Sequence, residues 1–200
     1  ATDSRLNLGA HDWTIECWLH LDSTASDEGV IFKIGTGPRG ANDFVTRFSV
    51  LPRENAFAFS CLVSAATGLA RRVEFANPEG PPSGGAWRHA ATLALGDHVK
   101  LPRAGWFHVA LVHDELKREV RLFIDGRPLA VAVLAFRALP RSDQAYLAIG
   151  RAGDGRHVLA GAIDELRVCD HAVYDQRFTP PAGRAGKSHD RAVGVDPVGK

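Results

Sequence analysis

The sequence of 200 residues contains no methionine, no Asn-x-Ser/Thr glycosylation signal and only three cysteines. Cys17, Cys61 and Cys169 cannot all pair with one another, and no two have the spacing of metal ligands. We therefore expect buried free thiols. The nine histidines show no His-x-His pattern and no grouping with cysteine, which argues against a zinc site.

Excess charge of one sign and long hydrophobic runs are also missing. The formal net charge is +1 and the basic residues are scattered, so the sequence predicts neither nucleic-acid binding nor attraction to an anionic membrane. The apolar runs are too short to insert into a membrane. No N-terminal charged-then-apolar signal segment is visible. Localisation stays open between a cytoplasmically made chain, assembled into a virion, and a fragment of a larger extracellular protein.

The pattern that dominates the sequence is an alternation of polar and apolar residues over residues 106–133. It predicts three strands joined by two hairpins, the second at Asp125-Gly126, a pair that favours a type I′ turn. In the first strand, Phe107 and every second residue after it lie on one face. Trp106 and every second residue after it lie on the other face. In the second, Phe123 shares a face with Arg121.

Similar short strands occur along most of the chain, and no window shows a helical period. We predict that residues 44–51 pair with residues 56–63. We also predict that residues 145–150 pair with residues 159–168 across Asp154-Gly155. The expected fold class is all-β, a two-sheet antiparallel sandwich of the jelly-roll type. Residues 1–178 are predicted to form the domain.

From residue 179 onward proline, glycine, arginine and aspartate dominate, and regular apolar spacing disappears. Such a segment cannot bury enough apolar surface to offset the entropy of ordering it alone. We predict that residues 179–200 form an extended tail or arm, through which the chain could assemble into a homo-oligomer or larger structure.

Four stretches resemble the sequence motifs of laminin G-like domains of the concanavalin A-like superfamily, in the same order. They are WTIECW at residues 13–18, GWFHVA at 105–110, EVRLFIDGRP at 119–128, and GAIDELRV at 161–168 followed by DHAV. Cys17 stands where that family usually has an aromatic residue, and residues 35–100 match none of its motifs. The resemblance implies a two-sheet jelly roll, a fold that hosts lectins, glycanases, adhesion modules and virion parts.

The glycanase alternative requires two carboxylates on one face of a strand, and catalytic relatives resemble one another in a Glu-x-Asp-x-x-Glu strand. No two acids in this chain stand at positions i and i+2, and in each of the i, i+4 pairs Asp12/Glu16 and Glu115/Glu119 the first acid falls in a predicted turn. No Gly-x-Ser-x-Gly motif supports a catalytic serine. We therefore predict that the chain is not an enzyme and has no catalytic residue.

Asp164-Glu165 lies in a motif-like strand, where alternation places Asp164 on one face with Leu166 and Glu165 on the other with Arg167. Two interpretations are open. Either one carboxylate accepts backbone N–H bonds and the other pairs with an arginine, or Asp164 helps to bind a structural calcium ion together with loop carbonyls, as the resemblance implies. No other cofactor is expected.

Sugar binding requires an exposed aromatic ring and a few fixed polar groups. Trp13, Trp18 and Trp106 lie in the motif-like strands, so we expect them to pack in the core. Trp87 lies outside every motif and is followed by Arg88 and His89, so residues 87–89 are the candidate ligand-binding residues. They could equally close the end of the sandwich.

Two functional hypotheses follow. The first is a non-catalytic recognition module that binds a glycan or a protein surface through loops at one end of the sandwich. The second is a structural or assembly protein, such as a virion decoration, tail or appendage component. The resemblance favours the first, and the unpaired cysteines, the missing signal segment and the tail favour the second.

Overall fold

The fold was analysed in a computed structural model, which describes residues 8, 11–22, 27–35, 44–53, 56–64, 70–73, 93–94, 105–134, 146–152, 155 and 157–182. These residues form eleven strands and no helix. The strands are β1 (Trp13–Leu21), β2 (Gly29–Gly35), β3 (Phe44–Arg53), β4 (Ala56–Ser64), β5 (Ala70–Val73), β6 (Leu93–Ala94), β7 (Trp106–Asp114), β8 (Glu119–Ile124), β9 (Arg127–Val133), β10 (Tyr146–Ile149) and β11 (Gly161–Cys169). Within this part of the chain no helix is long and apolar enough to cross a membrane.

The strands form two antiparallel sheets, which confirms the predicted all-β sandwich. The first sheet has five strands in the order β11-β1-β7-β8-β9. The second has six, in the order β10-β2-β3-β4-β5, and β6 also pairs with β4. The predicted pairing of residues 44–51 with 56–63 is confirmed by β3 and β4.

The three-stranded stretch at residues 106–133 forms as predicted. Asp125 and Gly126 both have positive φ, 49° and 70°, as a type I′ turn requires. Val120, Leu122 and Ile124 of β8 pack in the main core between the sheets. Phe123 is also fully buried, but on the opposite face of the sheet.

The pairing predicted for residues 145–150 and 159–168 is wrong. β10 pairs with β2 in the six-stranded sheet, and β11 pairs with β1 in the five-stranded sheet. The chain therefore passes from one sheet to the other between these two strands. Local turn signals such as Asp154-Gly155 cannot distinguish a crossover from a hairpin, because sheet membership depends on contacts with distant strands.

A second apolar cluster lies on the outer face of the five-stranded sheet, the face directed away from the main core. The residues after β11 cross this face, and we call residues 170–180 the strap. Ala172, Tyr174 and Phe178 of the strap pack against the buried side chains of Ala110, Val112 and Phe123. The strap thus extends the packed domain beyond its last strand.

Hydrogen bonds fix the strap at both ends. The Thr14 hydroxyl donates to the carbonyl of His171 and accepts from the Val173 N–H, each at 2.9 Å. At the other end the Phe178 N–H donates to the Gly126 carbonyl at 2.9 Å. A Cβ atom at Gly126 would lie 1.9 Å from the Phe178 carbonyl oxygen, so this turn needs glycine for close approach as well as for its φ.

Candidate functional site

Polar and aromatic side chains alternate with core residues along β1 and β7, and these side chains make up the outer face beside the strap. β1 directs Ile15, Cys17 and Leu19 into the core, so Glu16 and Trp18 point outward. Because directly paired residues share a face, the register extends this outer surface to the neighbouring strands. The outward pairs include Trp18 with His108, His20 with Trp106, and Glu16 with Arg167.

The same outer face carries three aromatic rings, Trp18, His20 and Trp106, which we call the platform. All three are half-buried. The ring centroids of His20 and Trp106 are 5.6 Å apart, and Trp18 meets His108 edge to face at 5.4 Å. The platform is therefore an ordered aromatic surface that remains partly open to solvent.

Two of the three tryptophans predicted to pack in the core do not do so. Trp13 is 1% exposed and belongs to the main core, as expected, and it stacks on His113. Trp18 and Trp106 lie on the outer face instead. Alternation separated the two faces correctly, but indole rings are compatible with either of them, so residue type alone did not identify the core face.

Beside the platform, a buried carboxylate is enclosed by three polar partners. Glu16 is 2% exposed. One of its oxygens contacts the guanidinium of Arg167, and the other lies 3.4 Å from Nε2 of His108. Arg167 also donates to the Tyr174 hydroxyl at 2.9 Å. Glu16 thus links β1 to β7, to β11 and, through Arg167, to the strap.

The electrostatics of this cluster hold Glu16 ionised. Burial alone would raise the pKa of Glu16, but the contacts with His108 and Tyr174 and the positive charge of Arg167 outweigh it, and the pKa lies below its ordinary value. Burial and the neighbouring Glu16 charge raise the pKa of Tyr174 to about 12. Tyr174 therefore stays protonated at neutral pH.

This cluster was not predicted from the sequence. Its signal was the presence of Glu16 and His108 within apolar strands, each flanked by core residues. Arg167 was predicted on the face opposite Asp164, which is wrong. A β-bulge, at which Glu165 has a φ of 50°, shifts the register and turns Arg167 to the same outer face as Asp164, while Leu166 packs towards the core.

Asp164, the predicted calcium ligand, pairs with Trp18 and lies at the edge of the platform. One of its carboxylate oxygens accepts the N–H of Glu165 at 2.9 Å, as one of the two interpretations of this residue expected. Among the described residues no three histidine, cysteine or acidic side chains are grouped closely enough to hold a metal ion. Calcium takes six to eight oxygen ligands, so backbone carbonyls would have to supply most of them.

The candidate ligand-binding residues Trp87, Arg88 and His89 lie outside the described residues, as does residue 183 onward. All three cysteines are free; Cys17 and Cys61 are buried as expected, and Cys169 is half-buried. Burial raises the pKa of Cys17 to about 12, and it raises the pKa of Cys61 as well. A thiol that stays protonated at neutral pH is a poor nucleophile.

Comparison with known proteins agrees with this architecture. Residues 94–177 match the family model Laminin_G_3, described as the concanavalin A-like lectin/glucanases superfamily. No curated protein sequence matches the chain.

Among solved structures, the heptameric SAP-like pentraxin of Limulus polyphemus superimposes with a TM-score of 0.55 at 14% identity, over 82% of this chain and 66% of that one. The CBM40 of the Ruminococcus gnavus IT-sialidase gives 0.56 at 15% identity, over 84% of this chain and 80% of that one. The NanB sialidase of Streptococcus pneumoniae gives 0.51 at 15% identity, over 82% of this chain but only 23% of the enzyme. The chain spans just under two thirds of the pentraxin's length.

At these identities the structural likeness shows the fold. The predicted resemblance is confirmed by the match over the strands from β7 to β11 and most of the strap, and by the shared sandwich. The chain thus has the fold of a two-sheet jelly roll, and its residues 94–177 match the model of the concanavalin A-like lectin/glucanases superfamily.

Proposed function

We propose that this chain is a non-catalytic recognition module that binds a glycan on the platform. The observation that carries the proposal is the partly exposed group of Trp18, His20 and Trp106 on the outer face of the five-stranded sheet. Flat aromatic rings bury the C–H face of a sugar, and nearby polar groups fix its orientation. The shared fold with the CBM40 module supports the same class of function.

The described acids support a non-catalytic role. A glycosidase needs one carboxyl group with a raised pKa as general acid and a second one about 5–10 Å away. Glu16, the most buried acid on this face, has a lowered pKa and is occupied by Arg167 and His108. It serves as a structural anion rather than a proton donor.

Screening the protein on a glycan array, followed by calorimetric titration of the strongest ligand, tests the proposal. Trp106→Ala should weaken binding by at least about tenfold, since truncating a central tryptophan commonly removes 2 kcal/mol or more. Leu116→Ala is the matched control, because Leu116 is 92% exposed in the β7–β8 turn, at the end of these strands away from Trp106. Unchanged binding by a folded Trp106→Ala protein would remove the platform from the proposal.

We also retain calcium at Asp164 as a proposal. An ion bound only by the native state stabilises it by mass action, so chelation should lower the melting temperature and added calcium should restore it. Asp164→Asn should abolish that response. A metal-free preparation whose melting temperature does not respond to calcium would eliminate this site.

The alternative function is assembly into a larger structure through residues 179–200. The pentraxin with this fold is heptameric, which supports considering it. Truncation of the tail distinguishes the two functions, as described in the Discussion.

A further inference from the structure

Two acidic side chains lie next to the platform. Asp22 is half-exposed, and its carboxylate lies 3.9 Å from Nδ1 of His20. Asp164 lies beside Trp18 on the same outer face. A ligand that stacks on the platform therefore meets a carboxylate at the end of β1 and another on β11.

The two arginines on the described strands of this face do not balance those two charges. Arg167 is bound to Glu16 and to the Tyr174 hydroxyl. Arg121 of β8 is bound to Asp114 at 3.0 Å and to Glu119 at 2.7 Å. Among the strands described here, both guanidinium groups on the outer face are thus already matched by carboxylates.

A carboxylate only accepts hydrogen bonds, and a sugar hydroxyl can donate one, so acidic groups beside an aromatic surface suit a ligand rich in hydroxyls. An acidic sugar would instead place its negative charge near Asp22 and Asp164, while both arginines on the described strands of this face, Arg121 and Arg167, are already bound to carboxylates. Building on the proposed function, we propose that the ligand is a neutral glycan, recognised by stacking on the platform and by hydroxyl hydrogen bonds to Asp22 and Asp164.

This ligand class differs from that of a structural relative. The CBM40 of Ruminococcus gnavus has been solved with α2,6-sialyllactose bound, and sialyllactose is an acidic sugar. This chain and the CBM40 would then share a fold but present different charges to their ligands, because the side chains at the binding site determine specificity.

The experiment uses an array of matched oligosaccharides, each printed with and without a terminal sialic acid or sulfate, together with amine-bearing versions. The strongest neutral ligand and its acidic counterpart are then titrated calorimetrically into the wild type and into Asp22→Asn/Asp164→Asn, with a chelator present so that no calcium ion competes for Asp164. The neutral ligand should bind at least about tenfold more tightly than its acidic counterpart. The double variant should lose about tenfold in affinity for the neutral ligand, because hydrogen bonds to charged acceptors are replaced by hydrogen bonds to neutral ones. The difference in affinity between the neutral and the acidic ligand should also become smaller.

The outcomes separate this inference from the function on which it rests. Acidic or amine-bearing glycans that bind as tightly as neutral ones, in a manner abolished by Trp106→Ala, would overturn the ligand class and leave glycan recognition intact. A double variant that binds like the wild type would overturn the roles of Asp22 and Asp164. A folded protein that binds no glycan on the array would overturn both proposals.

Discussion

Arg167 lies directly opposite Glu16 in the β1–β11 pairing, and its guanidinium contacts a carboxylate that is almost completely buried. The contact depends on the bulge at Glu165, which turns Arg167 to the outer face. Half of the arginine side chain is exposed, so the pair is screened by solvent on one side only.

We expect Arg167→Met to destabilise the protein by about 3 kcal/mol, because it removes the main countercharge from a buried carboxylate. Adding Glu16→Gln to this variant should recover a large part of the loss, since no buried charge is then left uncompensated. Urea unfolding of both single variants and the double variant measures the coupling. Additive effects in that cycle would show that the two side chains do not act as a pair.

Glu16 should also make the fold sensitive to acid. Its pKa is lowered in the folded protein, so its contribution is fully present above the ordinary value of 4.5 and is lost as the pH falls through the folded pKa. We expect the melting temperature of Glu16→Gln to decline less steeply than that of the wild type between pH 5 and pH 3. The lowered pKa of Asp114 is unchanged by this substitution, so part of the acid sensitivity should persist. Parallel pH profiles would contradict the prediction.

Phe123 tests the packing of the strap on the sheet. Its ring is fully buried and meets those of Tyr174 and Phe178 at centroid distances of 6.2 and 5.5 Å. Phe123→Ala should lower the free energy of unfolding by about 3–5 kcal/mol. Leu116→Ala, which alters an exposed side chain, should change it by less than about 0.5 kcal/mol. Equal stability of the two variants would mean that the strap does not cover this ring in solution.

Truncation separates the strap from the tail and distinguishes the two functions. A chain ending at residue 182 keeps every described strap contact, so we expect it to fold and to keep its platform. A chain ending at residue 169 exposes Ala110, Val112 and Phe123 and removes Tyr174 from the Glu16 cluster, so it should be strongly destabilised. Circular dichroism, light scattering and glycan titration are the measurements. Loss of a native oligomer without loss of folding in the longer truncation would favour the assembly function.

The sequence predicted those parts of the fold that depend on local signals. Asp125-Gly126 identifies its hairpin because both positions need positive φ, and period-2 alternation gives the two faces of β7 and β8. Asp154-Gly155 carries a similar signal, yet the strands around it lie in different sheets. No local pattern in residues 145–168 indicates that β10 pairs with β2 and β11 pairs with β1.

The candidate site was harder to predict for the same reason. The bulge at Glu165 inverts the facing of Arg167, and no glycine stands at that position to indicate it in the sequence. Tyr174 and Phe178 follow the last strand in a segment without strand alternation, so their packing on β7 and β8 has no local signature. The platform could not be predicted from the sequence, because local patterns do not tell which face of β1 is directed away from the second sheet.

The contact between the strap and β1 also predicts the order in which parts of the fold form. Thr14 and His171 are 157 residues apart, whereas β7, β8 and β9 follow one another directly. Contacts that close so long a loop are expected to form after the local hairpins, when the rest of the five-stranded sheet already exists. Replacing Phe178 by alanine should then speed unfolding and leave the refolding rate nearly unchanged, as stopped-flow kinetics would show. The strap would then be the last part of the native state to form. Its detachment would determine the rate of unfolding and therefore the lifetime of the folded protein.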